Sequence, residues 1–164
     1  SVSIDADTCA VGAYYQDYDE SGASSANNAG AAYIFTRSGS TWSLEQKLTG
    51  SGTNGRVADD RFGHKVSVDG DTCIIGAPQH AYDSDGANYV GYSGAAYAFT
   101  RSGSTWTLGK KIVGEGTNGR VSADYFGHAV GVDAGTYVVS AYLQEFNASG
   151  AASLSNAGAA YIFA

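Results

Sequence analysis

The chain is predicted to be all-β, built from short antiparallel strands in tandem units. Three observations predict it. The same residue types recur at a constant offset of 64 positions: Val2, Val66 and Val130, Asp5, Asp69 and Asp133, Thr8, Thr72 and Thr136, Tyr33, Tyr97 and Tyr161. A fixed period of this kind marks a repeat architecture and outweighs local propensity. Strand-forming residues sit in short runs between Gly, Ser, Asn and Asp clusters, and no segment keeps helical apolar spacing for about ten residues.

Taken in order, Ser1–Asp5 alternates as a strand, turns through Asp5-Ala6-Asp7, and returns as Thr8–Ala13. A tight acidic turn between two short runs predicts a hairpin. A long polar loop leads to a third strand at Gly30–Phe35, and the turn Arg37-Ser38-Gly39-Ser40 leads to a fourth. That strand, Thr41–Leu48, alternates polar and apolar as a half-exposed outer strand does. Repeat two predicts strands at Phe62–Val68, Thr72–Ala77, Gly94–Thr100 and Thr105–Val113, and repeat three at Phe126–Val132, Thr136–Ala141 and Gly158–Phe163.

Four-stranded antiparallel units in tandem are the pattern of a β-propeller, in which each blade buries its faces against its neighbours. Residues 1–164 are expected to be part of one propeller, with blade repeats at 1–65, 66–129 and 130–164, the first and last incomplete. Val66, Val68, Val130 and Val132 belong on innermost strands, and Trp42 and Trp106 on outermost ones. Phe62, Phe126 and the two tryptophans are the expected wedges between blades. Three full repeats need more than 164 residues, so an incomplete propeller is expected, its open edge covered by further repeats or by other copies of the chain.

A formal charge of -7 with no concentration of basic residues excludes a nucleic-acid footprint, and no apolar run approaches the roughly 18 residues of a membrane-spanning helix. Cys9 and Cys73 lie one period apart. Equivalent positions in adjacent repeats are usually beyond the roughly 7 Å that a disulfide tolerates between Cα atoms, so both are expected as free, buried thiols.

Phe62-Gly63 followed by Gly76-Ala77-Pro78, with Phe126-Gly127 and the weaker Gly12-Ala13-Tyr14 and Ser140-Ala141-Tyr142, resembles the FG-GAP repeat of integrin α-subunit propellers and of bacterial and algal surface proteins. The resemblance implies a propeller of about seven blades, an extracellular or cell-surface location, and adhesion or ligand binding. Integrin-type repeats also carry a DxDxDG calcium loop between their first two strands. The matching turns here, Asp5-Ala6-Asp7, Asp69-Gly70-Asp71 and Asp133-Ala134-Gly135, offer too few ligands for a cage of six to eight oxygens.

In an up-and-down meander the loops after strands two and four share one face, and these are the long loops. Binding residues favour long loops on a rigid scaffold. The face gathers Asp17, Asp19, Glu20, Asp59, Asp60, Asp83, Asp85, Glu115, Asp124 and Glu145, which either bind a partner or keep the loops solvated. Within it Asp19/Asp83/Asn147, Ser21/Asp85/Ser149 and Gly22/Gly86/Gly150 align. Asp83, Asp85 and Asp19 could hold calcium, the alternative being an Asx-type turn closed by glycine. Tyr18, Tyr82 and Phe146, with Tyr14, Tyr15, Tyr89, Tyr92 and Tyr142, could stack on sugars or simply pack the loops. Asn147-Ala148-Ser149 is a glycosylation sequon. Thr-Asn-Gly-Arg-Val, repeated at Thr53 and Thr117, suggests a tight turn whose Arg56 or Arg120 braces a neighbouring acid.

No catalytic residue is singled out. His64 and His128 follow Phe-Gly where a packed, hydrogen-bonded histidine is expected, and no acid sits in an evident apolar setting. The expectation is a noncatalytic extracellular structural or adhesive module, whose acidic long-loop face binds protein, glycan or cation. The alternative is a propeller hydrolase or lyase with its catalytic residues on other blades.

Overall fold

The computed structural model describes residues 1–147, 149–151 and 153–164. It holds eleven strands: β1 (Val2–Asp5), β2 (Thr8–Ala13), β3 (Ala31–Ser38), β4 (Thr41–Leu48), β5 (Lys65–Asp69), β6 (Thr72–Ala77), β7 (Ala95–Ser102), β8 (Thr105–Ile112), β9 (Phe126–Asp133), β10 (Thr136–Ala141) and β11 (Ala159–Phe163). They form three antiparallel meanders, β1-β2-β3-β4, β5-β6-β7-β8 and β9-β10-β11. The sheets are propeller-like blades packed face to face, without closing into a ring. Val66, Val68, Val130 and Val132 lie on the first strands of their blades, and Trp42 and Trp106 on fourth strands, as the alternation predicts.

One strand is shorter than expected. Phe62–His64 precedes β5: Phe62 bridges in parallel to Gly30 of the preceding blade, Gly63 takes a φ of 87°, and ladder pairing with β6 begins only at Lys65. This detour explains the Phe-Gly pair. The Phe62 ring sits edge-on to Tyr97 and Phe99, while Gly63 passes so close to the first blade that a Cβ would stand 2.3 Å from the Ala31 carbonyl oxygen. A Cβ on Gly12 would in turn stand 2.0 Å from the Gly63 oxygen. Phe126, Gly127 and Gly76 repeat the arrangement at the next seam. The Phe-Gly and Gly-Ala motifs are thus two sides of one backbone-to-backbone contact, which only glycine admits.

Each seam has its own core. Ala10, Ala32, Ile34 and Leu48 of blade one face Val66, Val68, Cys73, Ile75, Phe99 and Trp106 of blade two. Ile74, Ala96, Ala98 and Ile112 on the opposite face of blade two meet Phe126, Val139 and Ala141 of blade three. Of the four expected wedges, Phe62, Phe126 and Trp106 are buried, whereas Trp42 is 39% exposed on the open face of blade one. Both cysteines are free; Cys73 is buried in the first seam, which pushes its thiol up to about 12, while Cys9 is only half-buried.

The innermost strands do not join into a continuous sheet. Their free amides are capped by side chains of the blade before: Val66 N–H donates to Ser1 Oγ (3.1 Å), Val68 to Ser3 Oγ (3.1 Å) and Gly70 to Asp5 Oδ2 (2.9 Å). Val132 and Ala134 donate likewise to Ser67 Oγ (3.2 Å) and Asp69 Oδ2 (2.8 Å). An edge of unpaired backbone groups is thereby covered.

Candidate ligand face

Each long loop after a second strand folds back as a small hairpin, with bridges at Tyr18–Ser25, Tyr82–Tyr89 and Phe146–Ser153. The tips are the aligned oxygen-rich turns. Asp19 accepts from Ser21 Oγ (2.8 Å) and from the amides of Ala23 and Ser24 (both 3.1 Å). Asp83 accepts from the Asn88 side chain and from the amides of Ala87 (2.8 Å) and Asn88 (3.1 Å). The Ser21 hydroxyl in one case and the Asn88 side chain in the other lead in holding both carboxyls down at about 2. These are Asx-type turns. Asp85 is exposed, its nearest partner Ser84 Oγ at 3.4 Å, and among the described residues no group of three or more acidic, His or Cys side chains is arranged to hold a metal. Four acids of the β1–β2 type turns are also engaged: Asp5 and Asp69 cap inner strands, and Asp7 and Asp71 pair with Arg37 and Arg101. The residues present do not fit the DxDxDG calcium loop of integrin-type repeats. Asn147 Oδ1 accepts from Ser149 Oγ (2.8 Å) and the Ala151 amide (3.1 Å) in the same turn; Ala148 of the sequon lies outside the described residues.

The inter-blade loops 49–64 and 113–125 wedge between consecutive hairpins. Asn54 Nδ2 donates to Gly86 O of the following blade (3.0 Å), and Arg56 donates to Asp17 O of the preceding one. Asn118 reaches Gly150 O (3.1 Å), and Arg120 reaches Ala81 O (2.6 Å) and Asn88 O (2.9 Å). The repeated Asn-Gly-Arg is therefore a staple between three loops; its arginines hold main-chain carbonyls, and Arg120 also interacts electrostatically with Asp83 of the neighbouring loop.

Most of the expected acidic face is spent on the loops themselves. Asp17 accepts from Asn28 N–H (2.7 Å), Glu20 from Thr49 (3.1 Å to the hydroxyl) and Asp59 from Asn28 Nδ2 (2.9 Å). Asp60 and Asp124 are buried, contrary to the expectation that no acid has an enclosed setting. Burial raises the carboxyl of Asp60, opposed by the His80 ring, whose Nδ1 lies 3.0 Å away. Burial also raises Asp124 to about 6, opposed by the Val121 amide that it accepts (2.5 Å). His80 is fully enclosed, so the pair lies inside the loop, away from solvent. The sequence signal for it was available: Asp60 and Asp124 recur at the same place before Phe-Gly.

Beside the exposed acids Glu20, Asp59, Asp85, Glu115 and Glu145, the face presents aromatic rings outward. Tyr15, Tyr18, Tyr89, Tyr92 and Tyr142 are exposed, Tyr92 stacking on Tyr125 at 5.9 Å and Tyr82 edge-on to Tyr89 at 5.5 Å. His128 lies on the innermost strand β9, as expected, while His64 falls just before β5. They are half-buried on this face and not in the core, their rings 5.0 Å apart, with Tyr14 against His64 (5.6 Å) and Tyr142 against His128 (4.2 Å). Burial is the main cause that lowers the pKa of each.

Residues 42–99 match the FG-GAP repeat family. The match runs from β4 across the first seam to β7, and so includes Phe62-Gly63 and Gly76-Ala77-Pro78. No curated protein matches the chain.

Proposed function

Because the chain carries an FG-GAP repeat, we propose that it is a noncatalytic extracellular module of adhesive or ligand-binding type, whose long-loop face takes a glycan or protein ligand. The observation that carries this is the set of exposed tyrosines, Tyr15, Tyr18, Tyr89 and Tyr92, on loops stapled by Asn54, Arg56, Asn118 and Arg120. Aromatic faces held on a rigid support offer contact area at low entropic cost. The partner blades are of the same kind as those described. Val2, Ile4, Trp42 and Leu44 are exposed on one end face, and Val138 and Ile162 on the other; they are the repeat equivalents of residues that fill the inner seams. Further blades, of this chain or of another copy, would cover them.

The test is an array of immobilised glycans and extracellular-matrix proteins probed with the chain and with a Tyr15→Ala, Tyr18→Ala, Tyr89→Ala, Tyr92→Ala variant. Binding that the variant loses without a change in Tm supports the proposal. Binding that survives intact, or a ligand recovered cleaved, overturns it.

A further inference from the structure

Where the second and third blades meet on the long-loop side there is a cleft of about 180 Å³ lined by Arg61, His64, Gln79, Tyr125, His128 and Tyr142, together with Pro78. It differs from the rest of the face in charge. The chain has 16 acidic residues, yet none lines this cleft. Arg61 forms no ion pair among the described residues; its guanidinium lies over the Tyr15 ring at 5.5 Å. Its Nε, and Nδ1 of His64, are buried without a hydrogen-bond partner. Buried polar nitrogens are nearly always satisfied by protein, water or ligand, so two such atoms in one concave site point to an oxygen-bearing guest.

The backbone supports the same placement. Arg61 and Tyr125 occupy equivalent positions and both adopt left-handed φ values, 57° and 52°. Their amides are held by Asn28 O (3.2 Å) and Tyr92 O (3.0 Å). This conformation is unfavourable for side chains of their size. It sets a cation and an aromatic ring from successive blades on the walls of one cleft, with the paired histidines between them.

We propose that this cleft binds a carboxylate-bearing ligand, the guanidinium of Arg61 and the rings of His64 and His128 receiving the carboxylate and the tyrosines covering the rest of the molecule. This rests on the long-loop face being a ligand-binding surface and names its ligand class. Arginine is suited to carboxylate because its donors are fixed in a plane and always charged. The histidines add a pH dependence. Groups facing His64 are Tyr14 from blade one, His128 from blade three, and Arg61 and Lys65 from its own segment; His128 faces His64, Tyr142 and Lys65. The cations and the burial both disfavour imidazolium in the free protein, and the His128 main chain opposes this only for His64. A bound anion reverses the balance, so binding takes up protons and tightens as pH falls.

The experiment is NMR titration of the 164-residue chain with glucuronate, with glucose and inorganic phosphate as comparison probes. Expected are shifts centred on His64, His128 and Tyr142, affinity for glucuronate at least tenfold above glucose, and a further severalfold gain from pH 7.5 to 5.5. Arg61→Gln should remove the preference while leaving the melting curve unchanged, and His128→Gln should remove the pH dependence if Arg61→Gln does not fold. Equal binding of glucuronate and glucose, preference for phosphate, or shifts elsewhere on the chain overturns the proposal. Glucose-class binding at the tyrosines without carboxylate preference would defeat this inference while leaving the ligand face standing; no binding of any glycan or matrix protein would defeat both.

Discussion

The indole Nε1 of Trp106 donates to Oε2 of Glu45 at 2.8 Å across the first seam. Around that bond the Trp106 amide donates to Gln46 Oε1 (2.8 Å), Gln46 Nε2 donates back to Trp106 O (2.9 Å), and Arg101 lies over the ring at 5.1 Å. Trp106 is 2% exposed, while Trp42, its equivalent one blade earlier, keeps the matching Arg37 over its ring at 5.4 Å but is 39% exposed. Trp106→Ala should cost about 3–5 kcal/mol through lost burial and a cavity. Trp42→Ala should stay within about 1 kcal/mol. Urea unfolding of the two variants measures both, and equal losses would mean that the seam is not a principal source of stability.

Glycine at the blade contacts is required by space as well as by conformation. Gly63→Ala and Gly127→Ala each force a Cβ into a carbonyl at positive φ and should destabilise by about 2–4 kcal/mol. Gly131 has nothing within 4 Å of an added Cβ and no positive φ, so Gly131→Ala should be neutral or gain up to about 1 kcal/mol. Calorimetric Tm values order the three variants.

Asp124 and the turn acids should bend the stability-pH curve in opposite senses. The carboxyl of Asp124 titrates at about 6 in the fold against 3.8 when unfolded, so the fold binds its proton more tightly; that contribution is full below pH 3.8 and is lost as pH rises to about 6. Asp19 and Asp83, held at about 2, contribute above pH 3.8 and lose that contribution as pH falls towards 2. Asp124→Asn should flatten the wild-type decline between pH 4 and pH 6 and leave the acid limb unchanged. Thermal melts across this range check it; an unaltered slope would place the Asp124 proton elsewhere.

Calcium is expected to leave the protein unchanged, because the Asp19 and Asp83 oxygens already accept backbone amides that a cation would have to displace. Melting in 5 mM calcium chloride and in EDTA should agree within about 1 °C, since a ligand bound only to the fold raises Tm by mass action. A larger rise in calcium would show that a cation completes these turns.

The order of strands was legible from period two alternation and the 64-residue offset, because both follow from which side chains face a seam. Phe62 and Trp106 could be placed as wedges for the same reason. The recurrence of Asp60 and Asp124 was legible, but their burial and the carbonyl partner of Arg56 were not. Each depends on how a loop from one blade lies against a hairpin from the next, and alternation carries no information about loop-to-loop approach. His64 falls one residue before β5, whose pairing with β6 begins at Lys65, whereas its equivalent His128 lies within β9 as expected.

The caps on the inner strands all face one way. Ser1, Ser3 and Asp5 serve the blade that follows, as do Ser67 and Asp69, and among the described residues no inner-strand side chain serves the blade before. The stack therefore has a polarity, like a filament whose subunits join head to tail. Any two blades meet acceptor side to amide side whatever their rank, and an inverted blade would leave amide opposed to amide. Whole units can accordingly be duplicated or lost in evolution without any junction being redesigned, so that blade number is free to drift while the direction of assembly is not.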